Sequence, residues 1–261
     1  MKVLFIGDIV GKSGRKAIKA ILPEFLAKEK FDLILANGEN AAGGFGITPQ
    51  VAQELRKEGI DVITSGNHIW DRKEIIDFLD KAEFLLRPEN YPEGVPGKGS
   101  GIFNTKTGLA VGVINLAGRT FMGPLECPFR VALQVIEKIK KLTPIIIVDF
   151  HAEATSEKGA LGWFLDGKVS AVVGTHTHVQ TADERVLPQG TAFITDVGMS
   201  GALDSVIGIK KEIVIQRFLT QTPFRFEPAK KELSLQGVII EIDDNIGNAI
   251  AISRINHLIK N

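Results

Sequence analysis

Cysteine is almost absent. Cys127 is the sole thiol in 261 residues, so neither an internal disulfide nor a thiolate-held metal cluster can form. Any metal bound by this chain must sit on nitrogen and oxygen ligands. Neither sign of charge is in excess. Lys plus Arg and Asp plus Glu number 31 each, which argues against a protein that grips long nucleic acid through backbone charge, and no stable DNA binding is expected. A small phosphorylated ligand at one local site fits that balance. Long apolar runs are missing too. LFIGDIV, close behind Met1, contains an aspartate, is too short to span a bilayer and lacks the layout of a signal peptide. The expectation is a cytoplasmic protein with no membrane partner. There is no linker-like segment, low-complexity tract or internal repeat, and the Pro/Gly-rich stretch 87–101 reads as a long surface loop rather than a boundary. Residues 1–261 are read as a single domain, whose 44% hydrophobic content can fill a sizeable core.

Strand and helix signals alternate through the first two thirds. KVLFIG (2–7), DLILAN (32–37), DVITSG (61–66), LAVGVINL (109–116), PIIIVDF (144–150) and VSAVVG (169–174) are apolar runs of strand length. Between them, residues 15–30, 48–59, 71–82 and 129–142 carry apolar residues at three- and four-residue spacing with charges between, the pattern of surface helices. This is a βαβ arrangement that packs helices over a sheet. Residues 235–255 and 101–114 instead read as hairpins, so antiparallel pairs join the sheet or sheets.

Polar residues with chemistry sit at the ends of five of these strands. Asp8 follows KVLFIG, Glu39 and Asn40 follow DLILANG, Asn67 and His68 follow DVITSG, His151 follows PIIIVDF, and His176 with His178 follow VSAVVG. Carboxyl ends of parallel strands line one edge of an open sheet, so residues distant in sequence converge there. In an extended backbone, His176 and His178 would face one side. Each residue also has an ordinary reading: Asp8 as a helix cap, Glu39 and Asn40 as turn residues, Asn67 and His68 as a turn and a cap, the histidines as satisfied polar groups. Convergence at one end of the strands favours a site.

The donor inventory points to a metal centre. One aspartate, one glutamate, two asparagines and several histidines suit Mn, Fe, Zn or Co, and there are too many candidates for one ion. Two ions about 3.5 to 4 Å apart, bridged by a carboxylate and a water-derived oxygen, would use them, activate hydroxide and neutralise phosphoryl oxygens. A competing pattern is GDIVGKSGR (7–15) with IIIVD (145–149), which looks like a P-loop and its magnesium aspartate. It would make the chain a nucleotide-binding NTPase, but only three residues separate Gly7 from Gly11 where that motif needs four. A metal-bound regulatory or scaffold protein with little turnover is the third reading.

GD (7–8), GEN (38–40), GNHIWD (66–71), the lone His151 and GTHTH (174–178) resemble the five blocks of the calcineurin-like metallophosphoesterases. Within that superfamily the chain is similar over essentially its whole length to the YmdB-type branch, whose members act as 2′,3′-cyclic-nucleotide 2′-phosphodiesterases. The resemblance implies an α/β fold, a mixed β-sheet sandwich flanked by helices in four layers (α/β/β/α), with the active site at strand carboxyl ends. It implies Asp8, Glu39, Asn40 and His178 around one metal, Glu39, Asn67, His151 and His176 around the other, Glu39 bridging, and His68 facing the substrate. The wider superfamily usually has GDxH and a bridging aspartate, whereas here Ile9 and Val10 follow Asp8 and Glu39 takes the bridge, which fits the narrower branch. The function so implied is hydrolysis of small nucleotide phosphoesters, 2′,3′-cyclic nucleotides to 3′-phosphates, by a metal-held hydroxide; because a ribose alkoxide leaves poorly without a proton, His68 is expected as the proton donor. Iron or manganese would be the metals, with zinc, cobalt or magnesium as alternatives. A small phosphorylated nucleotide is the expected partner, and a homo-oligomer stays open. Lys12, Arg119 and Met199 lie in stretches that could border substrate and are assigned no role.

Overall fold

The computed structural model describes residues 1–259. In chain order the first half comprises β1 (Lys2–Ile6), β2 (Asp8–Ile9), α1 (Gly11–Lys28), β3 (Leu33–Asn37), α2 (Pro49–Lys57), β4 (Val62–Thr64), α3 (Ile76–Leu79), β5 (Ser100–Asn104) and β6 (Ala110–Ala117). The second comprises α4 (Pro128–Ile139), β7 (Ile146–His151), α5 (Thr155–Leu165), β8 (Ala171–Thr175), β9 (Arg185–Val186), β10 (Ala192–Ile194), β11 (Met199–Ala202), α6 (Lys211–Thr220), β12 (Leu233–Ile242) and β13 (Ala249–Leu258). Two mixed sheets result. One runs β2-β11-β12-β1-β3-β4 with β13 paired to the other edge of β12, and the second runs β5-β6-β7-β8-β10-β9. Among the described residues no helix is long and apolar enough to cross a membrane.

Alternation along the strands explains why two apolar sheets face each other. On β1, Val3 and Phe5 enter a core shared with Val113 of β6, Ile147 of β7 and Val173 of β8, so this cluster fills the space between the sheets. Leu4 and Ile6, on the opposite face, pack with Ile18 and Leu22 of α1 and Leu55 of α2. The second sheet repeats the arrangement: Ile146, Val148 and Phe150 of β7 pack with Ile136 of α4 and Leu161 of α5. Strands apolar on both faces give the continuous runs seen in the sequence.

The two hairpins form as expected, β5 with β6 and β12 with β13. β12 lies between β13 and β1, so the last third of the chain completes the sheet that the first residues begin. The expected helix over 71–82 is reduced to a 3₁₀ turn at Lys73–Ile75 and the single turn α3. Both ends are pinned by loops. The Arg72 guanidinium donates to Phe45 O and Ala42 O, and Asp80 Oδ1 accepts from Gly97 N–H, fixing extended backbone at Arg72 (φ −116°, ψ 105°) where a helix would continue.

One glycine ties this fold to the site. Between β1 and β2 the chain passes so near β11 that a Cβ on Gly7 would lie 2.2 Å from Gly198 O. Gly7→Ala should push β2 away from β11 and carry Asp8 with it. Thermal or urea denaturation should show a loss of about 1–3 kcal/mol, the usual cost of overpacking, with metal content falling in parallel; unchanged stability would mean the close approach is soft.

Candidate metal centre

The eight side chains singled out above converge, but not along one open sheet. Asp8 lies on β2, Glu39 and Asn40 follow β3, and Asn67 and His68 follow β4, all in the first sheet. His151 is the last residue of β7, and His176 and His178 follow β8, in the second. The site therefore forms where the ends of two facing sheets meet. The histidine pair also converges by another route than extended backbone. β8 stops at Thr175, and His176 (φ 100°) and His178 (φ 64°) both adopt left-handed backbone, a conformation costly for such side chains and frequent at functional sites. The loop is held by Asp196, whose Oδ2 accepts from Thr177 N–H (3.1 Å), Thr177 Oγ1 (2.7 Å) and the buried Lys158 ammonium (2.8 Å). Asp196 Oδ1 accepts from Gly198 N–H (2.8 Å), and Gly198 O accepts from Asp8 N–H.

Two clusters of ligand atoms emerge. In the first, Glu39, His151 and His176 each offer one atom within 4.8 Å of the others. His151 Nε2 lies 3.1 Å from Glu39 Oε1, 3.2 Å from Asn67 Oδ1 and 2.9 Å from His176 Nδ1. One ring nitrogen cannot satisfy three such neighbours with a single proton or lone pair, whereas a cation among them would. In the second, His178 Nε2 is 3.6 Å from Asp8 Oδ1 and 3.2 Å from Asn40 Nδ2. Asn40 Nδ2 also donates to Glu39 Oε1 (3.0 Å), so Glu39 stands between the clusters. Asp8 Oδ1 and Asn40 Oδ1 are buried with no hydrogen-bond partner among the described residues. Buried, unpartnered oxygens beside imidazole nitrogens are a donor set suited to cations.

Tautomers follow from the outer partners. Thr175 Oγ1 donates to Asp149 Oδ1 (2.8 Å), so it accepts from His151 Nδ1–H (2.9 Å) and leaves Nε2 facing the cluster, as a lone pair once its proton is displaced. His176 Nε2 lies 3.0 Å from the Glu153 carboxylate, which frees Nδ1. His178 Nδ1 donates to Ile207 O (2.9 Å), which frees Nε2. Asn37 links the shells, accepting from Glu39 N–H and donating to Asp149 Oδ2.

The electrostatics fit the same picture. Burial disfavours charge on Asp8 and Glu39, yet His178 beside Asp8 and His151 beside Glu39 outweigh it and hold both carboxyls below their usual range. Burial and the charge of His151 push His176 down to about 3, so it is a neutral lone-pair donor. Burial opposes the charge on His178, but Asp8 overcomes it and raises His178 to about 9. A cation entering there displaces a proton, so its binding is pH-linked. Burial raises Asp149 to about 7 despite its three donors.

Several of these residues carried no site role on sequence alone. Asn37 and Thr175 end apolar strands, the same signal that marked the candidate ligands, whereas Asp149, inside β7, stood only as the magnesium aspartate of the P-loop pattern. Asp71 lies within GNHIWD, and its Oδ2 is 2.9 Å from His68 Nδ1, leaving Nε2 for the cavity. His68 N–H donates to Glu39 Oε2, and among the described residues the ring's hydrogen-bond partner is Asp71 rather than a member of either cluster. Asp8 is no helix cap, since α1 begins after Val10 without a side-chain cap. His257 lies elsewhere, against Phe25. Met199 is buried on β11, and Lys12 and Arg119 are exposed. The P-loop pattern does not form a phosphate cradle. The N–H groups of Asp8, Val10 and Gly11 donate to Gly198 O, Ser200 O and Asn40 O, Ser13 Oγ donates to Ala229 O, and Asp149 is enclosed by Thr64, Thr175 and Asn37.

Two mixed sheets whose strand ends bring imidazoles and carboxylates into adjoining clusters are the arrangement of a metallophosphoesterase-like protein. The YmdB-like protein family matches residues 4–255, and the chain belongs to it. It is 52% identical over 255 residues to the 2′,3′-cyclic-nucleotide 2′-phosphodiesterase of Bacillus subtilis (strain 168), covering 98% of this chain and 96% of that one. Among solved structures it is similar to a hypothetical protein from Thermus thermophilus (TM-score 0.92, 41% identity, 99% of each chain). It is also similar to a novel phosphatase from Mycoplasma pneumoniae (TM-score 0.92, 37% identity, 99% of this chain and 93% of that one).

The Thr175 link yields a test. Thr175→Val removes the acceptor for His151 Nδ1–H while keeping the shape of the side chain. Affinity for a cation at the candidate cluster of Glu39, His151 and His176 should fall about 10- to 100-fold, as losses of such outer partners do, measured by competition against a chelator; unchanged affinity would mean the ring is oriented by packing alone.

Proposed function

We propose that this chain is a two-metal phosphodiesterase that opens 2′,3′-cyclic nucleotides and releases 3′-phosphates. That it is an enzyme of the phosphodiesterase class rests on its family and on 52% identity to an enzyme of that name. The observation that carries the metal chemistry is the pair of clusters around Glu39, with the unpartnered Oδ1 of Asp8. Asp8, Asn40 and His178 would hold one ion, Asn67, His151 and His176 the other, with Glu39 shared. A half-turn of the Asn40 carboxamide exchanges Oδ1 with Nδ2 and gives the first ion an oxygen. Iron or manganese suits this mixed imidazole and oxygen set, with zinc, cobalt or magnesium as alternatives. Such ions supply a water activated at neutral pH and positive charge against phosphoryl oxygens.

The four-layer order, helices outside two facing sheets, and a single domain over residues 1–261 belong to the same reading. The three apolar clusters and the pairing of β1 with β12 support it.

The chain's own residues account for the leaving group. His68 lines the cavity, its Nδ1 is engaged by Asp71, and the remaining Nε2 can give a proton to the 2′ oxygen as the P–O2′ bond breaks. The phosphate then stays on the 3′ oxygen. Chromatography of the product from 2′,3′-cyclic AMP should therefore yield the 3′-phosphate; a predominant 2′-phosphate would mean the opposite bond is cleaved.

His68 carries a separate test. A ribose alkoxide leaves poorly without a proton, whereas nitrophenolate needs none. His68→Ala should keep its metals, lose about 10² to 10⁴ in rate on a 2′,3′-cyclic nucleotide, and lose distinctly less on a nitrophenyl phosphodiester. Equal losses on both substrates would assign His68 to stabilising phosphoryl charge, and loss of metal would make it a ligand.

A further inference from the structure

The cavity before the metal centre encloses about 250 Å³ and has two unlike halves. One is polar, with Glu39, Asn40, His176 and His178. The other is walled by Val10, Phe45, Ile207, Ile209 and Phe226, whose side chains carry no polar atom. The phosphodiester chemistry uses only the first half.

Phe45 and Phe226 face each other across the second, with ring planes within 21° and centroids 6.5 Å apart. That lies at the loose end of the range for aromatic pairs, about 4.5–7 Å. A flat ring held between two faces at van der Waals separation of about 3.5 Å on each side needs roughly 7 Å, so the gap is within about half an ångström of a slot. Both walls are held in place. Phe45 sits in the GGFG loop, where Gly43, Gly44 and Gly46 have φ of 75°, 99° and 75°, a backbone path open to glycine. Arg72 ties the loop down through Phe45 O (3.1 Å) and Ala42 O (2.7 Å). Phe226 is backed by the Arg217 guanidinium at 4.8 Å, and the next residue, Glu227, accepts from Lys210 N–H at 2.9 Å. His68, which lines the same cavity, packs edge-on against Phe45 at 5.1 Å.

We propose that Phe45 and Phe226 form a stacking slot for the substrate's nucleobase, an inference that rests on the phosphodiesterase reading above. With no polar side chain on that wall, the base is held by its faces and its edge goes unread. Bases of all four kinds are accepted, purines more tightly because they present more surface. Seating the base sets the ribose beside His68.

Calorimetric titration of the metal-loaded protein with adenosine 3′-phosphate and with 1-O-methylribose 3-phosphate, which lacks the base, tests this directly. The native chain should bind the nucleotide about tenfold or more tightly than the sugar phosphate. Phe45→Ala and Phe226→Ala should each lose about tenfold or more for the nucleotide with no change for the sugar phosphate, and Phe226→Trp should restore the preference. The surface position of Phe226 keeps the test open if Phe45→Ala misfolds. Equal affinity of the native chain for both ligands, or equal loss of both in the alanine variants, would overturn the slot. Hydrolysis of 2′,3′-cyclic AMP is followed in parallel. Base-dependent binding without hydrolysis leaves the slot standing and removes the phosphodiesterase reading, while hydrolysis without base dependence does the reverse.

Discussion

Two carboxylates of like charge, Asp8 and Glu39, are wholly buried at the meeting of two sheets. Removing such groups from water carries an effective penalty of several kcal/mol per ion unless opposite charge and hydrogen bonds offset it. Much else in the structure follows from this constraint. His151 and His178 supply partial compensation, which is why both are raised while the carboxyls beside them are lowered. They leave Asp8 Oδ1 unpartnered among the described residues, and the cations proposed around Glu39 would complete the balance.

The compensation, by imidazolium or by imidazole on a cation, works only if the rings are aimed, and the surrounding structure does the aiming. Asp149 and Thr175 fix the His151 tautomer from inside the second sheet, and Asn37 ties that network to the Glu39 backbone. Lys158 and Asp196, a buried ion pair, hold Thr177 between two histidines in left-handed backbone. Removing one partner of such a pair leaves the other charge buried and unpaired, at a typical cost of about 3–5 kcal/mol, so loss of either residue should release the GTHTH loop. The loop's rigidity is thus anchored in the core rather than at the surface.

How legible the site was depended on the kind of signal. Glu39, His151 and His176 were readable because each ends an apolar run, and strand ends converge wherever sheets pack. That they come from two sheets was not, since pairing partners such as β1 and β12 lie more than two hundred residues apart. Thr175 carried the same signal, masked because it closes its strand rather than follows it, and Asp149 lies inside β7, where it fitted the P-loop pattern instead. α5 escaped notice because Gly159 and Gly162 weaken its pattern. Gly162 is required, as a Cβ there would lie 2.4 Å from the Phe193 ring. α6 escaped because Ile215, Phe218 and Leu219 face outward and only Val214 is buried, so no inward stripe exists to read. The helix expected at 71–82 failed for the opposite reason: its periodicity is real, but Arg72 and Asp80 are committed to neighbouring loops. Phe45 and Phe226 belong to different loops, and only the folded chain pairs them.

Two ions should match the buried negative charge around Glu39. Elemental analysis of freshly purified protein, combined with anomalous difference maps from its crystals, measures this most directly. The account predicts two transition-metal ions per chain, one against His151 and His176, the other against Asp8 and His178, both in contact with Glu39. A single ion at full occupancy, or two ions with Glu39 touching only one, would contradict it.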